Sequence, residues 1–296
     1  MIEHSRIQCG EIELYVATAG PVTGPLVILL HGFPEYSGGW GRQMRDLAAL
    51  GFRVLAPDQR GYGQSEKPNG IRAYSLDILA GDIAKLIEST GRSSAVIIGH
   101  DWGALVAWYL ALKYPEKVAK LMVLNCPHPL LLRKAAFLNP IQFLKSWYVF
   151  FIQLPFLPEF FLSISHFSQL KKTMVNTARA NTFSSEELEG YRRAWAQPQA
   201  LTGMLNWYRA FVRYPPKEKL PPKVICPTLI LWGKHDAFIA LSLAHKSLHY
   251  CERAKIITFP KATHWIHHEF PNEVSHILKE FCQDRSTSVN ACPASS

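Results

Sequence analysis

The chain has 296 residues, 48% of them hydrophobic, enough to bury one large core and still accommodate a subdomain inserted into it. Its 32 Lys and Arg against 23 Asp and Glu give a formal charge of +9, but the basic residues are scattered, so the charge reads as solubility rather than nucleic-acid or anionic-surface binding. With six cysteines lacking a C-x-x-C pair, an N-terminus without a signal-peptide pattern, and an apolar stretch from Trp147 to Leu162 broken by Gln153, Pro155, Pro158 and Glu159, neither a disulfide scaffold nor a membrane span is expected, nothing marks export, and a cytoplasmic protein is the expectation.

In chain order, strands are expected at Ile12 to Ala17, Leu26 to Leu30, Arg53 to Ala56, Ala95 to Ile98, Lys120 to Leu124, Thr228 to Leu231 and Lys255 to Phe259. Most are continuous apolar runs, as strands covered on both faces should be. Helical patterns lie between them, the clearest being Leu76, Leu79, Ala80, Ile83, Leu86 and Ile87 after a Ser75 cap. The alternation argues a mainly parallel sheet flanked by helices. It fails between about Pro129 and Pro216, after a stiff Cys126-Pro127-His128-Pro129 turn, where 17 of the chain's 35 aromatics fall between Phe137 and Tyr214. An inserted helical subdomain follows, and packing accounts for most of its aromatics. A core of residues 1–130 and 217–285, a helical cap of 131–216 and a disordered tail of 286–296 complete the expected organisation.

The strand Ala95 to Ile98 runs into Gly99-His100-Asp101-Trp102-Gly103 and then into a helical pattern, the context of a nucleophile elbow with Asp in place of Ser. A helix-capping Asp is the bland alternative. As a nucleophile, a carboxylate with pKa near ~4 is already ionised at neutral pH and suits displacement at a saturated carbon, giving an alkyl ester on Asp101. Water must then attack that ester, and this second step needs a base. Asp236, at the end of Thr228 to Leu231, and His264, after Lys255 to Phe259, follow Asp101 in the nucleophile, acid, His order of such sites. His31-Gly32-Phe33-Pro34 matches loops that donate a backbone N–H to an oxyanion hole, so the Phe33 and Trp102 N–H groups are the expected donors. His264 and His268 are spaced i, i+4 beside His267, but without H-E-x-x-H or a further ligand at metal spacing no metal is expected. Glu35, next to the oxyanion loop, reads as a surface or capping residue, with assistance to His264 or to water as the alternative.

Together, His31-Gly32-Phe33-Pro34, Asp58-Gln59-Arg60-Gly61-Tyr62-Gly63, Gly99-His100-Asp101-Trp102-Gly103, Asp236 and His264 resemble the α/β-hydrolase-fold epoxide hydrolases, over Ile12 to about Phe281. The resemblance implies an α/β-hydrolase fold and two cap tyrosines that donate to the epoxide oxygen. Tyr148, in Ser146-Trp147-Tyr148-Val149-Phe150-Phe151-Ile152-Gln153, and Tyr208, in Leu205-Asn206-Trp207-Tyr208-Arg209, match the family positions, with Tyr191 and Tyr214 as decoys. Phe33, Pro34, Trp102, Tyr148 and Tyr208 are then the substrate-binding residues. Haloalkane and haloacetate dehalogenases share the core motifs. Trp102 keeps the former in view, with Trp147, Trp195 or Trp207 as a second halide donor, while haloacetate enzymes usually carry Arg where Trp102 stands. A ligand-binding protein with a dead pocket is the non-enzymatic alternative. The favoured expectation is a cofactor-independent enzyme, monomer or homodimer, turning hydrophobic epoxides and water into vicinal diols.

Overall fold

A computed structural model describes residues 1–132, 142, 145, 147–216 and 220–284. Eight strands, β1 (Glu3–Cys9), β2 (Ile12–Ala19), β3 (Leu26–Leu30), β4 (Arg53–Pro57), β5 (Ala95–His100), β6 (Val118–Leu124), β7 (Thr228–Gly233) and β8 (Ala254–Phe259), form one sheet in the order β1-β2-β4-β3-β5-β6-β7-β8. β2 pairs antiparallel with both β1 and β4, and every pairing from β4 to β8 is parallel. All seven expected strands are present. β1 went unread because it is a polar edge strand, exposed from Glu3 to Arg6, with no apolar run to mark it.

The continuous apolar runs are explained by two separate hydrophobic cores. Successive strand residues point to opposite faces. Val27, Leu29, Val54, Ala56, Ile98 and Leu124 therefore enter one core, with Trp40 and with Met44 and Leu47 of α1 (Gly41–Ala48). Leu26, Ile28, Leu30, Leu55, Ile97 and Val123 enter the other, against α2 (Leu76–Ser89) and α3 (Asp101–Lys113). α3 is buried nearly all round, which is why its sequence shows no polar stripe. Ser75 precedes α2 with extended backbone, but its side chain makes no capping hydrogen bond.

Between β6 and β7 the described residues fold into α4 (Trp147–Ile152), α5 (Leu157–Thr177), α6 (Ser185–Trp195) and α7 (Ala200–Arg213). Non-helical backbone from Ile164 to Phe167 divides α5 in two. α6 starts at a capping box, Ser184 Oγ accepting from the Glu187 N–H and Glu187 from the Ser184 N–H. Arg209 of α7 holds the helices together, donating to both oxygens of Glu159 at 2.6 and 2.9 Å and to the carbonyls of Ile152 and Leu154. Among the described residues no helix is long and apolar enough to cross a membrane. The expected tail, residues 286–296, lies outside the described residues.

Arg60 connects these layers. Its guanidinium donates to Asp82 of α2 at 2.6 and 2.7 Å, both side chains being only 9% exposed, and its carbonyl accepts from the Trp207 indole at 2.9 Å. Removing one member of such a pair strands the other charge. Asp82→Ala is expected to lower the unfolding free energy in urea by about 3–5 kcal/mol. A loss below about 1 kcal/mol would mean that water reaches Arg60.

Candidate active site

The carboxyl ends of β3, β5, β6, β7 and β8 lead into Phe33, Asp101, Asn125, Asp236 and His264 respectively. β3 lies between β4 and β5, so the sheet changes direction of winding beside β3, where open α/β sheets place their crevices. Asp101 opens α3 with φ 50°, a left-handed backbone uncommon outside glycine. The turn can be this tight because a Cβ on Gly32 would lie 2.5 Å from the Asp101 Cβ, and one on Gly103 would run into the carbonyls of Leu30 and His31. The capping alternative for Asp101 does not hold, since His100 occupies the N-cap position.

Asp101 Oδ1 accepts the Phe33 N–H at 2.9 Å, and Oδ2 lies 3.5 Å from His264 Nε2. The Trp102 N–H is in the first turn of α3, where backbone donors have no partner within the helix. The loop that aims Phe33 is fixed by the Asp58–Gly63 motif. Gln59 donates its N–H to His31 Nε2 at 3.1 Å and its side-chain amide to the His31 carbonyl at 2.6 Å. Because Nε2 accepts, the ring proton sits on Nδ1, which donates to the Gly32 carbonyl at 3.0 Å. Asp58 accepts from the N–H groups of Ser37 and Gln64, completing the brace.

Asp236 is held by four donors. Oδ2 accepts from His264 Nδ1 at 2.9 Å and Asn125 Nδ2 at 2.6 Å, and Oδ1 from the N–H groups of Phe238 and Ile239 at 2.7 and 3.0 Å. Asn125 is the residue that reading the sequence missed. Its only signal was position, the first residue past a parallel strand, and it too has positive φ, which Asn tolerates. Burial favours neutral carboxyls at Asp101 and Asp236, yet His264 outweighs it and holds both below the usual carboxylate range. Burial likewise opposes charge on His264, but Asp236 and Asp101 push its imidazole up to about 10.

Tyr148 and Tyr208 join Asp101 and Phe238 in the walls of two adjoining cavities, of about 210 and 490 Å³. The smaller also takes in Trp102, and the larger Phe33, Pro34 and His264. The Tyr148 and Tyr208 rings stand edge to face at 5.9 Å, and Tyr208 packs on Phe33 at 5.2 Å and Trp102 at 4.7 Å. Burial in this apolar setting raises both phenols, joined at Tyr148 by Asp101 and Asp236 and at Tyr208 by Tyr148 and Asp101, which keeps them neutral donors. The decoys are elsewhere. Tyr191 donates to Glu35, and Tyr214 is exposed. Of the possible halide-binding tryptophans, Trp195 donates its indole N–H to the Pro34 carbonyl and Trp207 to that of Arg60, while Trp147 is two-thirds exposed.

Glu35 corrects the expectation of a surface or capping role, because it is completely buried. Three imidazoles make this tolerable: His100 Nδ1 at 2.7 Å, His268 Nε2 at 2.7 Å and His267 Nε2 at 3.3 Å. Burial favours its neutral form, but His267 and His100 outweigh burial and hold the carboxyl well below its ordinary value. His100 in turn reaches the His264 carbonyl at 2.9 Å. His264 faces Asp236 and Asp101 whereas His268 faces Glu35, so their i, i+4 spacing does not converge on one point.

The α/β-hydrolase fold family matches residues 25–271, so the chain belongs to that family and is a hydrolase. It is 43% identical over 274 residues to the AB hydrolase superfamily protein YfhM of Bacillus subtilis, covering 93% of this chain and 96% of that protein. Human epoxide hydrolase 4 is 36% identical over 288 residues, covering 95% of this chain and 78% of that protein. The crystal structure of Bacillus megaterium epoxide hydrolase with an inhibitor superposes with a TM-score of 0.85 at 29% identity, covering 95% of this chain and all of that one.

The raised His264 pKa makes stability depend on pH. Folding favours the charged ring, so its contribution is fully present below the unfolded value of about 6.5 and is lost as pH rises towards about 10. The unfolding free energy of the native chain is therefore expected to fall relative to His264→Gln between pH 6.5 and 10. Parallel urea-unfolding profiles for the two proteins would contradict the assignment.

Proposed function

We propose that the chain is a cofactor-independent epoxide hydrolase acting in the cytoplasm. In this reading residues 131–216 form a cap over a core of residues 1–130 and 217–285. The observation that carries it is the meeting of two neutral tyrosines, Tyr148 and Tyr208, with the ionised Asp101 in the same cavity walls. A nucleophile facing two phenols suits a leaving group that is an oxygen still attached to the substrate. The names of human epoxide hydrolase 4 and of the Bacillus megaterium epoxide hydrolase agree with this.

In the proposed first half-reaction, Asp101 Oδ2 attacks one epoxide carbon and the C–O bond breaks towards the tyrosines. They donate to the epoxide oxygen as charge develops on it. Esterification removes the Asp101 charge that helps hold the proton on His264, so the imidazole releases it to the new alkoxide by way of the phenols. His264 is left neutral when a base is needed. In the second half-reaction it takes a proton from water, hydroxide attacks the Asp101 ester carbonyl, and the Phe33 and Trp102 N–H groups hold the oxyanion. The C–O bond to the enzyme breaks and the alkoxide takes the proton left by the attacking water's hydroxyl. Asp101 is regenerated as carboxylate and His264 as imidazolium, and one epoxide and one water have become a diol. Asp236 stabilises the imidazolium, with Asn125 and two backbone N–H groups fixing its orientation.

Styrene oxide is expected to give its vicinal diol. Tyr148→Phe and Tyr208→Phe should each lower kcat/KM by roughly 10²–10³-fold. His264→Ala should accumulate an adduct of substrate mass on the Asp101 peptide. Halide release from a haloalkane with no diol from any epoxide would instead mark a dehalogenase, and tight binding with turnover of neither would mark a ligand-binding protein.

A further inference from the structure

The 18 residues from Trp147 to Ile164 carry eight exposed large apolar side chains, led by Phe156 (85%) and by Trp147 and Phe160 (66% each). Single exposed hydrophobics are ordinary, but such a concentration marks a surface that meets something apolar. It adjoins the cavities. Trp147 and Phe161 line the larger one, and Phe150, with Val212 of α7, lines the smaller. The electrostatics are one-sided. From Trp147 to Thr177 the only acid is Glu159, which spends both oxygens on Arg209, whereas Lys172 of α5 is exposed, as is Arg213 of α7, which reaches the Gln153 carbonyl within this stretch.

We infer that this face docks on the surface of an anionic lipid bilayer, with the aromatic side chains entering the headgroup region and the basic residues meeting lipid phosphates. Trp and Phe beside Lys and Arg are the composition of surfaces that lie on a membrane without spanning it. A second copy of the chain seated here would instead cover the side chains through which both cavities reach the surface. A bilayer presents the cavity mouths with the phase in which apolar molecules dissolve. Delivery of epoxide from that phase rests on the proposed function, but the docking does not.

The test is co-sedimentation of the full chain with vesicles of phosphatidylcholine alone or with about 30% phosphatidylglycerol, at low salt and in about 0.5 M salt. Binding is expected to the anionic vesicles, to be weakened by salt, and to fall about tenfold or more in Phe156→Ser/Phe160→Ser. That double variant should hydrolyse a water-soluble epoxide like the parent chain and lose rate only on a vesicle-dissolved one. Binding to neither vesicle, equal binding to both, or a dimer in sedimentation velocity that the double variant abolishes would overturn the inference. Vesicle binding without turnover of any epoxide would leave the docking standing and overturn the epoxide reading instead.

Discussion

The arrangement depends on the Coulombic coupling between Asp101 and His264, 3.5 Å apart in a setting that excludes most water. Each group alone would be driven towards neutrality by burial; His264 holds Asp101 charged, and Asp236 and then Asp101 hold His264 charged. The second carboxylate, Asp236, fixes the orientation of the imidazole through its Nδ1. In the proposed mechanism, a nucleophile that loses its charge on reacting alters the proton affinity of its own base. This is a signal passed within one hydrogen-bonded group, with no moving part required.

Maintaining that separation is the work of the sheet. Five parallel strand ends deliver Phe33, Asp101, Asn125, Asp236 and His264 to one edge, and two cores fix the strands from either side. The backbone strain at Asp101 is borne locally by glycines that could not be replaced without collision. The Asp58–Gly63 loop braces the oxyanion loop, and Arg60 within it ties that brace to α2 and α7.

Much of this was legible in the sequence. Continuous apolar strands and one helical interruption gave the fold class, and the elbow and the order Asp101, Asp236, His264 picked out three residues that the fold brings side by side. What escaped notice was governed by neighbours distant in the chain. Asn125 looks like any turn residue until Asp236, 111 positions later, lies against it. Glu35 follows a Pro in a polar-looking loop, and only the folded chain brings His100, His267 and His268 around it. β1 has no apolar signature because an edge strand is held by its ladder to β2 rather than by burial.

The indole bonds that α6 and α7 make to the core have a mechanical consequence. Trp195 is fastened to the Pro34 carbonyl and Trp207 to that of Arg60, while Tyr191 reaches the buried Glu35. Three rivets along one flank make it a fixed jaw, and each is seated in a loop that shapes the oxyanion side. α4 and the first half of α5 make up the other flank, with their aromatic faces turned outward. Arg209 of α7 fastens that flank in turn, through Glu159 and the carbonyls of Ile152 and Leu154, so the width of the doorway is referenced to the same loops that shape the reaction centre.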